Sequence, residues 1–374
     1  MKITLKNTPE QVELVKAMAS KNRDTAYAAQ MALAEFIGPV LARVINQAPT
    51  LSNMFTPFSF NEDDSPSLPL DLYYDITAAD YIKVYSTSVP GGLPTNTVTP
   101  IQSEMKFTTY RLDSAVDFDK RYAARSRLDV VSKSFTRLAQ EVLLKQENTS
   151  AGLVLGSLAD AETNGKKHVI TGGSSSVLLL DDFNKLLTLA KRINTAWTGG
   201  TPENRIKGIT DLIISPEVVE SLRAMAYNPI NSTAAKGIAV SSQAGAWVPA
   251  TDSMREDIYR NAGIPEFYGI GITEYNELGL NQKFNKLFAK LGGTDGAAGN
   301  FDAATDELCI GIDRSRESML RAIATDSETG AEFRLLPDDQ YSVRQSKIGY
   351  FGSLEEGRMI IDSRVLTGIV INAG

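Results

Sequence analysis

A single cysteine, Cys309, and a single histidine, His168, serve 374 residues. One thiol cannot close an internal disulfide or build a thiolate cluster for zinc, so assembly inside a cell is expected rather than secretion. One imidazole makes any histidine-based triad depend on His168, which would need a nucleophile and an orienting partner in reach. No G-x-S-x-G supplies that nucleophile. Positive charge is also short: 38 Lys and Arg face 45 Asp and Glu, a formal charge of -7. A general nucleic-acid binder shows the opposite balance, because cations release counterions from phosphate. No uninterrupted apolar run reaches the roughly 18 residues of a membrane span, and the N-terminus lacks the apolar core of a signal peptide. No membrane partner is expected. The absence of a fixed-period repeat argues against a solenoid or propeller.

What is present is an ordinary globular composition, 43% hydrophobic, in a chain long enough for two domains or one elaborated domain. The rest is organised around residues 105–161. The first part alternates like a strand, with Phe107, Leu112, Val116 and Phe118 among polar and small residues, and from Arg125 the period becomes helical. Leu128, Val131, Phe135, Leu138 and Val142 recur at steps of three and four and form one stripe, while Arg127, Lys133, Arg137, Glu141 and Lys145 mostly face elsewhere. No proline interrupts Arg125 to Ala161, so a helix of roughly 30 residues would extend about 45–50 Å.

Upstream, Thr8, Pro9 and Gln11 suit a helix start with a capping box, ending by Ser20. A second helix is predicted over Thr25 to Asn46, with Pro39 as a kink. Its apolar face (Leu33, Phe36, Ile37, Val40, Leu41, Val44, Ile45) fits either core packing or docking on a neighbouring chain. Pro49 to Asp75 reads as an extended arm or linker. Tyr81 to Ser86 and Met105 to Phe118 read as strands of a long hairpin, joined by a tip crowded with Pro90, Gly91, Gly92, Pro94 and Pro100. Such a tip needs a partner surface to cover it.

Downstream, Lys167 to Thr171 is a short strand. Asp181 or Asp182 caps a helix carrying Phe183, Leu186, Leu187, Ala190, Ile193 and Trp197, which stops before Gly199 and Gly200. Asp211 to Ile214 is a buried strand, and Ser215 with Pro216 opens a helix with Val218, Val219, Leu222 and Met225 inward. Asn228 to Asn261 and Gly292 to Asn300 are long loops. Strand character returns at Glu266–Ile272, Leu308–Asp313, Met319–Ala324, Gln340–Phe351 and Arg358–Ile371, the last two broken by GSLEEG.

Candidate chemistry is thin. His168 is read as structural or surface. Ser103 and Lys106 match S-x-x-K by spelling, yet that chemistry needs a helical turn and these residues open a strand. Gly269-Ile270-Gly271 lacks the third glycine of a dinucleotide loop. Asp63-Asp64, Asp181-Asp182 and Asp338-Asp339 do not follow the calcium-loop spacing. Cys309 is an inert buried thiol in an apolar strand. Asn148 and Asn231 begin glycosylation triplets without a secretory context. No catalytic residue, cofactor site or metal site is assigned, a pattern that favours a structural protein over an enzyme.

The order of arm, long hairpin, long helix, strand and helix units and terminal strands resembles the major capsid proteins of tailed bacteriophages, whose Hong Kong-97 fold encapsulins share. RLDSAVDFDKRYAARS leading into the long helix and LVLGSLADA closing it look like the family's hairpin-to-spine transition. DLIISPEVVESLRAM looks like the strand and helix of its axial domain. DELCIGIDRS, YSVRQSKIGYF and GRMIIDSRVLTGIVI are similar to the strands that return to the peripheral domain. The resemblance implies an α+β chain with an N-terminal arm at 1–75 and an extended hairpin at 76–120. The peripheral domain with its spine helix would take 121–171, the axial domain 172–313 and the return strands 314–374. It implies self-assembly into pentamers and hexamers of an icosahedral virion shell enclosing double-stranded DNA, without sequence-specific binding, built in the host cytoplasm. A portal is implied as a partner.

Some members begin with a large charged scaffolding segment, whereas about 75 residues precede this hairpin and they are not unusually charged. A separate scaffolding protein is therefore expected. Lys83 and Lys106 lie in the hairpin, but no acceptor aligns with them, so the isopeptide cross-links of some members are not predicted. The alternatives are an encapsulin-like compartment, which requires a cargo-peptide groove, and a hydrolase or lyase, which requires a concave site with perturbed titrating groups.

Overall fold

The computed structural model describes residues 8–48, 50–69, 104–163, 165–172, 178, 180–194, 208–227, 230–231, 247–248, 266–267, 269–297, 299–316, 318–327, 330–338 and 345–372. In chain order these form α1 (Pro9–Ala17), α2 (Arg23–Asn46), a 3-10 turn (Leu51–Met54), β1 (Thr56–Asn61), β2 (Ser67–Pro69), β3 (Glu104–Lys106), β4 (Thr109–Asp119), α3 (Lys120–Ala124) and α4 (Leu128–Asp160). Next come β5 (Glu162–Thr163), β6 (Lys166–Lys167), β7 (Val169–Thr171), α5 (Leu180–Asn194), β8 (Asp211–Ile214), α6 (Pro216–Tyr227), β9 (Ile230–Asn231) and β10 (Trp247–Val248). The chain ends in β11 (Glu266–Phe267), β12 (Ile270–Glu274), α7 (Lys283–Lys290), β13 (Asp306–Ile312), β14 (Met319–Thr325), β15 (Arg334–Asp338), β16 (Lys347–Ile360) and β17 (Leu366–Asn372). The fold is α+β. It divides into one unit of Met1–Leu68, Met105–Ala151 and Met319–Met359 and a second of Pro69–Glu104, Gly152–Ser318 and Ile360–Gly374.

The first unit packs α1, α2 and the first part of α4 on a five-stranded sheet of β1, β14, β15, β16 and β4. The expected stripe of α4 is buried throughout, with Val131 and Phe135 at 0% exposure, and each such side chain contributes about 1.5–3 kcal/mol. Tyr350 of β16 sits at the centre, with the Phe135 ring edge-on at 5.2 Å and the Phe118 ring stacked at 6.3 Å. In α2 the apolar face divides. Leu33, Ile37, Leu41 and Ile45 enter this core, whereas Phe36 and Val40 are exposed. α2 is long and apolar enough by composition to cross a membrane, but that stripe is buried against protein.

Four sequence expectations change here. Thr8 precedes α1 without a side-chain capping bond, so the capping box does not form. The long helix starts at Leu128, not Arg125, because α3 ends in a Schellman motif: Ser126 N donates to Ala123 O and Arg127 N to Tyr122 O, both at 2.9 Å. Ser126 takes the left-handed position, φ 52°, that glycine usually fills, so no glycine marks the break. The arm expected over residues 49–75 contains β1, which pairs in parallel with β14 from Thr56 opposite Leu320 to Asn61 opposite Thr325. GSLEEG breaks nothing: β16 runs through it as a 14-residue strand paired with β4 from Lys347 opposite Asp119 to Gly357 opposite Thr109. Its glycines allow close approach. A Cβ on Gly352 would lie 2.6 Å from the Phe333 ring, and one on Gly357 would lie 2.8 Å from the Thr108 carbonyl oxygen.

The second unit is built on a six-stranded sheet in the order β11-β12-β8-β13-β17-β7. β13 is buried along its whole length, and α5 and α6 bring Phe183, Leu186, Val218 and Leu222 to the core. Ser215 caps α6, accepting from Val218 N at 3.3 Å and donating to Glu307 Oε2 at 3.1 Å. α5 begins at Leu180, so Asp181 and Asp182 occupy its first turn rather than its cap and hold Lys185 at 2.8 and 3.4 Å. β17, expected among the return strands to the other domain, pairs with β13 across seven residues here, buried from Leu366 to Ile371. The sequence did not anticipate α7 or β15. Tyr81–Ser86, the tip prolines and glycines, Lys83, Ser103, Trp197, Gly199, Gly200 and nearly all of Asn228–Asn261 lie outside the described residues.

Candidate functional site

A buried polar cluster inside the first unit is centred on Glu356. Strand parity puts it there: Ile348, Tyr350, Gly352, Leu354, Glu356 and Arg358 share one face of β16, and that face meets the core. Glu356 Oε2 accepts from Gln146 Nε2 of α4 at 2.9 Å, from Arg321 Nε of β14 at 3.1 Å and from Arg358 Nη2 at 3.1 Å. Its Oε1 accepts from the Tyr110 hydroxyl of β4 at 2.8 Å and from Arg358 Nη1. Arg321 Nη1 reaches Asn46 Oδ1 at 3.2 Å and Asn53 Oδ1 at 3.1 Å, and Arg358 Nη2 reaches Ser52 Oγ at 2.5 Å. One carboxylate thus joins α2, the 3-10 turn, α4 and three strands.

The side chains of Arg321, Glu356 and Arg358 are 4%, 0% and 1% exposed. Burial pulls the Arg321 guanidinium below its ordinary range, opposed by the Glu356 charge. Burial, with Glu356 beside it, pushes the Tyr110 hydroxyl above its ordinary 10.0. Five donor atoms thus converge on the carboxylate of Glu356. The cluster locks elements together. Nearby, Glu62, Arg111, Asp326, Glu332, Arg334 and Glu355 line a small pocket of about 30 Å³, room for water rather than for a substrate.

His168 is fully buried between β6 and β7. Its Nδ1 lies 3.1 Å from the Ser363 carbonyl and 3.0 Å from the Leu366 carbonyl. Carbonyls only accept, so Nδ1 carries the proton, and Nε2 accepts from the Thr163 hydroxyl at 2.7 Å. Burial holds the imidazole below 6.5. This is the structural role expected from sequence.

The other weighed residues stay apart. Cys309 is buried in β13, where desolvation raises its thiol far above the ordinary 9.0. Glu307 is raised by burial and held by Ser215. Lys106 is exposed in β3. Gly269 precedes β12, which leads into turns before α7. Asp63 and Asp64 lie in an exposed turn after β1, Asp338 ends β15, and Asn148 is inside α4. Sequence reading missed Arg321, Glu356 and Arg358. The signal was present as charged residues at the core-facing parity of apolar strands.

No family model and no curated protein sequence matches the chain. Among solved structures it is similar to the capsid of a native GTA particle, at 12% identity over 87% of this chain and 90% of that one, TM-score 0.46. It is similar to the capsid of the cyanophage P-SCSP1u at 13% identity, 86% and 87% coverage and TM-score 0.45. A virus-like particle from Pyrococcus furiosus gives 13% identity, 91% and 99% coverage and TM-score 0.42.

Proposed function

We propose that this chain is the subunit of a closed protein shell, a major capsid protein of a tailed phage that self-assembles into pentamers and hexamers around double-stranded DNA. The observation that carries this reading is α4. At 33 residues it is nearly three times the usual helix length and about 50 Å long. It begins in one unit and ends in the other, with Val131 and Phe135 buried in the first and Val154, Leu155 and Leu158 buried in the second. The element order around it is that of the resembled family: helical arm, a long segment bounded by β2 and β3, strand, spine, strand and helix unit, terminal strands. Exposed Phe36 and Leu144 add apolar surface that neighbouring subunits would cover.

Many modest contacts per subunit make such a shell durable through multivalency. A separate scaffolding protein and a portal complete the assembly. The test is electron microscopy with nuclease digestion of the native particle. Shells with five- and six-fold rings and nuclease-protected DNA support the reading, and shells without nucleic acid turn it toward an encapsulin-like compartment. A discrete monomer or dimer in the native sample overturns it.

A further inference from the structure

Two oppositely charged corners of the first unit lie at its surface, each closed by backbone hydrogen bonds. The acidic one is the turn after β1, where Glu62, Asp63 and Asp64 are consecutive and exposed. It is closed by Asp64 N donating to Asn61 O at 2.9 Å and tied to β14 by Glu62 N donating to Thr325 O at 3.1 Å. The basic one is the α3–α4 corner, with Lys120, Arg121, Arg125 and Arg127 in eight residues. The Schellman bonds fix its backbone, and buried Ala123 and Leu128 seat it in the core. Arg121 is held by Asp119 at 3.0 Å. Among the described residues, Arg125 and Arg127 enter no ion pair, and neither do Asp63 and Asp64.

We propose that the Asp63–Asp64 turn of one copy docks against the Arg125–Arg127 corner of a neighbouring copy. This rests on the shell reading above. Two unpaired carboxylates on one patch match two unpaired guanidinia on the other, and arginine forks suit carboxylate geometry. A second copy satisfies both patches in one interface. Nucleic acid at the basic corner would leave the acidic turn without a partner. Made once per pair of copies, a contact between two different patches is head-to-tail, the type that closes into rings.

The test compares four full-length chains: wild type, Arg125→Glu with Arg127→Glu, Asp63→Lys with Asp64→Lys, and all four changes together. Circular dichroism establishes that each folds, and sedimentation with electron microscopy follows assembly at low salt. Each two-site reversal is expected to raise the concentration needed for assembly about tenfold or more, because like charges then face each other. The four-site variant should return to within about threefold of wild type, since the two reversals couple directly. Reversed variants that assemble as readily as wild type would overturn the proposal while leaving the shell reading in place. So would a folded four-site variant that stays dispersed, or a corner reversal that abolishes duplex-DNA binding with assembly intact. A wild-type chain that forms neither rings nor shells would instead sink the shell reading, and this contact with it.

Discussion

Arg358 and Glu356 stand two positions apart on one strand, and both carry their charge inside the first unit, 1% and 0% exposed, with Arg358 Nη2 3.1 Å from Glu356 Oε2. Arg321 meets the same carboxylate at 3.1 Å, so Glu356 faces two buried cations. Replacing Glu356 by Gln leaves both with reduced compensation and is expected to cost about 3–5 kcal/mol. Denaturant unfolding of the full chain measures this, and a loss under 1 kcal/mol would show that the cluster does not hold the unit together.

A second expectation concerns the break before the long helix. A non-glycine residue in the left-handed region costs about 1–2 kcal/mol, and Ser126 sits there with its hydroxyl buried and, among the described residues, without a partner. Ser126→Gly should therefore stabilise the chain, by about 0.5–1 kcal/mol after the added unfolded-state entropy of glycine. A lower melting temperature for this variant would contradict the assignment of Ser126 to the cap position.

These residues also mark what the sequence made legible. The α4 stripe, the Asp211–Ile214 strand and the Ser215 cap follow from periodicity and local hydrogen bonding, so they could be read directly. The start of α4 was misplaced because Ser126 does what glycine normally does. The break at GSLEEG was misread because glycine serves turns and tight packing equally, and only the Phe333 ring over Gly352 decides between them. β1 was missed because its partner β14 lies more than 250 residues along the chain, a pairing that no local pattern encodes. The Glu356 cluster was hidden for the same reason, since its partners converge only in the folded unit.

The misread glycine gives a third expectation. A Cβ on Gly352 would lie 2.6 Å from Phe333 Cζ, and Phe333 is itself buried. Gly352→Ala should cost about 1–3 kcal/mol through overpacking, and Gly352→Ala with Phe333→Leu should recover part of that loss. An Ala variant as stable as the parent would mean that the ring does not cross the strand there.

His168 supplies a pH dependence. Its folded-state pKa is depressed by burial below the ordinary 6.5, so the unfolded chain binds more protons between the two values. The contribution of His168 to stability is therefore complete above the unfolded pKa and is lost as pH falls through that window toward the folded pKa. Denaturant midpoints measured from pH 7.5 to 5 should decline, and His168→Gln should flatten the part of the slope due to this residue. The substitution should also lower stability at neutral pH by about 1–3 kcal/mol, because the Ser363 and Leu366 carbonyls lose their common donor. An unchanged slope would place the imidazole in contact with water.

Whether copies of this chain close into a shell is decided by cryo-electron microscopy of the purified full-length protein across a concentration series. A shell subunit should give five- and six-fold rings or closed icosahedral particles, with α4 resolved as a continuous rod in every subunit. A population that remains monomeric or dimeric at every concentration, and likewise in its native source, would contradict it.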